Sequence, residues 1–302
     1  MLRVSTNLIF QRGLDGILTR QAEASVTQQQ IATGKRILEP SDDPIGITKV
    51  LNFNKQIETV EQYQKNIIGL KNRLELEENA LTGVQNMLQR VRELTIQGGN
   101  DTYSTAQRAT IALEVRELLS GVYDLANSTD TSGDYLFAGY QGKTQPFTIS
   151  GGSYVFNGDM GQRKIRVSAD RTIADSDSGF EVFMDIPTAA GGTRNLFETV
   201  ESIAVALEAG TSPISILDDL ELGMDNIVLT RSRVGARLSS IDEQEVQNEN
   251  TRTSLEMNRS KVEDLDYAKA ISEFTQSEIA LEAAQKVFIK MQELSLFNFL
   301  RL

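Results

Sequence analysis

The sequence predicts a mainly α-helical chain. It reads as a long antiparallel helical bundle or rod, with paired N- and C-terminal helices and a small antiparallel β insert. Three observations carry this reading. The five prolines stand at 40, 44, 146, 187 and 213, which leaves 45–145 and everything after 213 free of the residue that breaks helix interiors. Apolar residues recur every seven positions through both of those tracts. And 8 of the 19 aromatic residues fall between Tyr135 and Ile186, among glycines and short alternating runs.

Taken in chain order, the first stretch repeats Phe10, Ile17, Ala24 and Ile31 at seven, with Leu14 between. This predicts an amphipathic helix with a narrow seam. Ser41, Asp42 and Asp43 are candidate caps for the next helix, and Pro44 suits its first position. That helix carries Val60, Ile67, Leu74, Leu81 and Leu88 in one row and Tyr63, Leu70, Val84 and Val91 in a second, with Glu77 the one exception. It should end at Gly98-Gly99-Asn100, after roughly 80 Å at the usual helical rise. A second helix is expected over 104–126, with Ile111, Val115, Leu118, Val122 and Leu125 on one stripe.

In the insert, Tyr154-Val155-Phe156, Lys164–Val167 and Phe180–Met184 read as strands, and Gly151-Gly152 and Phe156-Asn157-Gly158 as turns. A short helix over 196–208 leads to another long one. There Leu220, Ile227, Val234, Ile241, Leu255 and Val262 keep the seven-residue register, with Asn248 on the same seam. The last helix repeats Phe274, Leu281 and Phe288, widened by Ala284, Val287, Met291 and Leu294. Nesting the elements gives three expected segments. These are 1–38 with 265–302 as a terminal coiled-coil assembly domain, 39–134 with 195–264 as a bundle domain, and 135–194 as a β-rich outer domain. A coiled-coil dimer with a globular cap is the other architecture that this pattern allows.

Composition narrows the function. The chain has 302 residues, 42 acidic and 30 basic, for a net charge of −12. It contains no Cys, His or Trp. Disulfides, thiolate nucleophiles, imidazole bases and His or Cys metal sites are therefore excluded. A net-acidic surface makes nucleic acid a poor partner, and no run of 18 apolar residues offers a membrane span. Arg3, Gln11, Arg12, Asp15 and Arg20 interrupt any signal-peptide core near the start. Only carboxylates, Lys, Tyr or Ser remain for catalysis, and the insert suggests no carboxylate-lined cleft, so no enzymatic activity, cofactor or metal is expected. Asp175-Ser176-Asp177-Ser178-Gly179 has a loose calcium-loop look but lacks the twelfth-position Glu, and reads as a strand connection.

Three segments carry a resemblance. Ala32-Thr33-Gly34-Lys35-Arg36-Ile37 followed by Pro40-Ser41-Asp42-Asp43-Pro44 resembles the N-terminal signature shared by flagellins and hook-associated proteins. Val262–Ala268 resembles the matching C-terminal signature, and Gln89–Leu94 a segment of the long flagellin helix. The ending Leu294–Leu300 and the second proline, Pro44, are more similar to hook-associated proteins of the hook–filament junction than to filament subunits. A short flagellin is the alternative.

The resemblance implies a structural protein of the bacterial flagellum. Such subunits form a ring with copies of themselves, adapting the first hook-associated protein of the hook to the flagellin lattice. It implies export through the flagellar type III apparatus without signal cleavage, and an extracellular location. It also implies terminal helices that order on assembly, and an export chaperone on the C-terminal helix. The residues expected to bury in subunit assembly are Leu14, Ile17, Ala24, Ile31, Phe274, Leu281, Phe288, Met291, Leu294 and Phe297. Each could equally serve a seam within the chain. Gly34, Lys35, Arg36, Ser41, Asp42, Asp43 and Pro44 are expected to form the family motif and helix cap.

Overall fold

The computed structural model describes residues 6–299, without the side chains of 6, 7, 9 and 292–299. Its elements, in order, are α1 (Thr6–Thr33), α2 (Pro44–Gly98), α3 (Thr105–Ala126), β1 (Phe147–Ser150), β2 (Ser153–Phe156), β3 (Lys164–Arg166), β4 (Thr172–Ala174), β5 (Ile186–Pro187), β6 (Thr193–Arg194), α4 (Leu196–Glu208), α5 (Leu217–Glu263) and α6 (Tyr267–Phe299). The three strand pairs are separate antiparallel two-stranded ribbons. Mainly helical with small antiparallel sheets is the class that the heptads and the aromatic insert predicted.

The chain divides into two compact units, 1–59 with 252–302, and 60–251. This differs from the expected three segments. The 135–194 insert has no core of its own, because Phe137, Phe147, Val167, Val182 and Phe183 bury in the same cluster as the helical seams. A ribbon of two short strands cannot bury both faces alone, so the insert takes its apolar partners from the helices.

Within the 60–251 unit, the predicted rows are the core. Ile67, Leu74, Leu81, Leu88, Val84 and Val91 of α2 are sealed from solvent, as are Leu220, Ile227, Val234 and Ile241 of α5. The polar exception Glu77 is sealed as well, and Asn248 nearly so. Asn248 Nδ2 donates to the Val167 carbonyl at 3.0 Å, which satisfies it. α3 begins with a full capping box. Ser104 Oγ accepts the Gln107 amide, and Gln107 Oε1 accepts the Ser104 amide at 2.8 Å.

The insert is organised by Phe197, the second residue of α4. Its ring lies 5.2 Å from Phe147, 5.0 Å from Tyr154, 5.7 Å from Phe183 and 6.1 Å from Tyr123. Gly151 and Gly152 (φ +61° and +85°) turn the chain from β1 into β2. One expected strand is absent. Phe180–Met184 forms a single wide helical turn instead. Val182 and Phe183 are neighbours in sequence and both fully buried, a pattern that a strand covered on one face alone does not give. A Cβ on Gly179, just before the turn, would lie 2.7 Å from the Phe137 carbonyl oxygen. Only glycine admits that approach.

Phe197→Ala should therefore cost about 3–5 kcal/mol of stability. Val205→Ala, on the exposed side of α4, should change it by less than about 0.5 kcal/mol. Urea denaturation followed by circular dichroism distinguishes the two.

Candidate assembly surface

In the terminal unit, α1 and α6 lie side by side, and small residues let them approach. Ala24 of α1 and Ala270 of α6 are buried. Phe288 packs on Phe10 with ring centroids 4.7 Å apart. A Cβ on Gly13 would lie 3.0 Å from the Phe288 ring and 3.4 Å from the Met291 methyl, so Gly13 provides the hollow that receives both.

The two family motifs close this pair. Lys35 and Asp264 form an isolated antiparallel bridge. The Arg36 amide donates to the Glu263 carbonyl at 2.7 Å, and the Leu265 amide to the Gly34 carbonyl at 3.0 Å. Lys35 Nζ sits 2.5 Å from Glu263 Oε1. Arg36 Nη2 donates to the Val262 carbonyl and to Asp43 Oδ2, each at 2.9 Å. Gly34 makes the turn possible. Its φ is +73°, and a Cβ there would come within 2.8 Å of the Tyr267 hydroxyl.

Of the three expected caps, one caps α2. Asp43 Oδ1 accepts the Gly46 amide at 2.8 Å, with Pro44 at the first helical position. That bond, and then Arg36, hold the Asp43 carboxyl below the usual range. Asp42 instead organises the preceding turn, accepting the Leu38 and Glu39 amides at 3.0 and 2.9 Å. Ser41 makes only a long contact, at 3.4 Å, to Glu39. Its place three residues before α2 puts it out of reach of the orphan amides.

The expected assembly residues divide. Ile17, Ala24, Ile31, Phe274, Leu281, Phe288 and Met291 line the α1–α6 seam, buried or half-buried. Leu14 is exposed. The side chains of Leu294 and Phe297 fall outside the described residues. Reading in sevens missed a second, exposed set: Leu18 and Val26 on α1, and Ile271, Ile279 and Ile289 on α6. Val287, expected on the widened stripe, is exposed with them. Ile279 is 63% exposed and Ile289 55%. Their positions spread around the circumference of α6 rather than along one stripe. The signal was in the sequence as apolar content beyond one stripe's worth. Among the described residues, no acidic cluster suited to a metal occurs, and no helix is long and apolar enough to cross a membrane.

Gly34→Ala should destabilise the terminal unit by about 1–2 kcal/mol from the left-handed backbone alone. The clash with Tyr267 adds to this, and Tyr267→Phe combined with Gly34→Ala should recover that added part. Thermal unfolding of the single and double variants reads the difference.

The sequence pattern of the bacterial flagellin N-terminal helical region matches residues 4–142, and that of the C-terminal helical region residues 217–300. Flagellar hook-associated protein 3 of Escherichia coli (strain K12) is 29% identical over 316 residues, covering 98% of this chain and 99% of that one. Flagellin FlaB1 of Treponema pallidum (strain Nichols) is 24% identical over 84% of each. Among solved structures, the flagellar junction protein FlgL from Legionella pneumophila is similar in fold. It has a TM-score of 0.61 at 20% identity, covering 71% of this chain and 99% of that one. Both motif-bearing ends, their meeting at the Lys35–Asp264 bridge and the end-to-end similarity converge: the chain belongs to the flagellin superfamily, among its hook-associated proteins of the FlgL type.

Proposed function

We propose that this chain forms the ring that joins the flagellar hook to the flagellin filament, with the first hook-associated protein on one side and flagellin on the other. The observation that carries this reading is the full-length similarity to hook-associated protein 3, which exceeds that to the filament protein FlaB1 in both identity and coverage. A filament subunit is the second reading, and one experiment separates them. Deleting the gene should leave intact hooks without filaments under the electron microscope, with flagellin shed into the medium. Normal filaments would overturn the junction reading.

The terminal helices are the assembly elements in this proposal. The pair made by α1 and α6 covers one seam and leaves the second apolar set in water. Burying those side chains against other subunits recovers about 25 cal/mol per Å² of apolar area. That gain offsets the entropy of fixing the helices in a ring. Seam residues such as Phe288 set the pair, and exposed ones such as Ile279, Ile289 and Leu14 meet the neighbours.

Export precedes assembly, through the flagellar type III route without signal cleavage. An apolar helix waiting in the cytoplasm needs a cover, and an export chaperone on α6 supplies it. The double variant Ile279→Asp/Ile289→Asp tests both roles. It should keep the helical content of the parent, because both residues are more than half exposed. It should fail to restore filaments to the deletion strain and should lose retention of the chaperone in a pull-down. Full restoration of filaments would remove these residues from the interface.

A further inference from the structure

Glu77 stands in the second apolar row of α2, seven residues after Leu70 and seven before Val84. It is fully buried. Its Oε1 accepts the Asp177 amide at 3.0 Å, and its Oε2 has no hydrogen-bond partner. The surrounding charges come from three elements. Arg73 reaches in from α2, Arg237 from α5, and Asp177 from the buried 175–178 segment of the insert. Asp177 Oδ1 accepts Gln162 Nε2 at 3.0 Å, and its Oδ2 is taken by the Arg237 guanidinium. Asp175 Oδ2 lies 2.5 Å from Arg163 and 3.5 Å from Arg73, and Arg73 is held at 2.5 Å by Asp130. The three guanidiniums are thus matched by Asp130, Asp175 and Asp177. An ionised Glu77 would be a fourth carboxylate with no cation of its own, in a site that water does not reach.

We propose that Glu77 is carried as the neutral acid in the folded chain and acts as a proton-linked latch. Its deprotonation in mildly alkaline solution loosens the 175–178 segment of the insert from α2 and α5. The competition is specific. An ionised Glu77 draws on Arg237, whose Nη1 is buried without a partner, and so weakens the hold of Arg237 on Asp177. Burial first, and the Asp177 carboxylate second, push the Glu77 carboxyl up to about 8. A folded-state value above the unfolded one means that the stabilisation is complete below the ordinary carboxyl range. It is lost as pH rises through about 8. No His or Cys side chain titrates in that window.

Native-state amide hydrogen exchange on the full chain between pH 6 and 9 tests this. After correction for the intrinsic exchange rate, protection of the Asp177 amide should fall by up to about tenfold per pH unit to near pH 8, then level off. In Glu77→Gln, whose amide oxygen can still accept the Asp177 N–H, protection should stay flat. A flat profile in the parent, or the same slope in the variant, would overturn the latch. A 13C titration of labelled glutamate carboxyls in the parent gives a second readout that needs no variant. One carboxyl should titrate near 8, and an ordinary midpoint for every glutamate would also sink the idea.

Discussion

A narrow seam between only two helices has little to fix its register. In the terminal unit the register depends on one short crossing of backbone, where Gly34–Arg36 meets Glu263–Leu265. The two amide-to-carbonyl bonds there join segments more than two hundred residues apart in sequence. They hold the ends of α1 and α6 at one level, so that Gly13 receives Phe288 and Ala24 and Ala270 fall inside. Exposed ion pairs such as Arg20–Glu23 on α1 add little to this. The geometry is set by backbone, by a left-handed glycine and by a guanidinium that bridges the crossing to the cap of α2.

The two units solve the same problem with different materials. The 60–251 unit closes a continuous core of aliphatic seams, crowned by an aromatic cluster around Phe197. Among its described residues the terminal unit has few buried apolar side chains, Ile37, Val50 and Ile57 among them, and exposes others of similar size. Apolar area that a domain leaves in water marks a surface awaiting a partner.

Much of this was legible in the sequence, for a physical reason. A heptad of aliphatic residues marks one buried face of a helix whatever its partner, so the rows through Leu74 and Leu81 in α2, and through Ile227 and Val234 in α5, fell where they were expected. The boundaries of α4 and the cap at Asp43 were equally plain, because asparagine, aspartate and proline act locally. What failed depended on distant partners. Phe180–Met184 looks like a strand by itself, and forms instead a helical turn that buries Val182 and Phe183 together. Leu14 fits the α1 pattern yet is exposed, and Ile279 and Ile289 were passed over because period-seven counting selects one stripe. The meaning of Glu77 was hidden for the same reason, since its matched neighbours come from α5 and the insert.

Because the insert shares its core with the helices, it is not a cassette that evolution can lift out or exchange whole. Cutting at its ends would strip cover from Phe197 and from the seams beneath it. Variation is confined to its rim. At the tip of the β1–β2 hairpin, Gly151 and Gly152 have open space around them. There added residues would meet nothing, and two adjacent strands would carry them outward in register. The outer face of such a protein can therefore grow by lengthening a single turn while the scaffold beneath stays fixed.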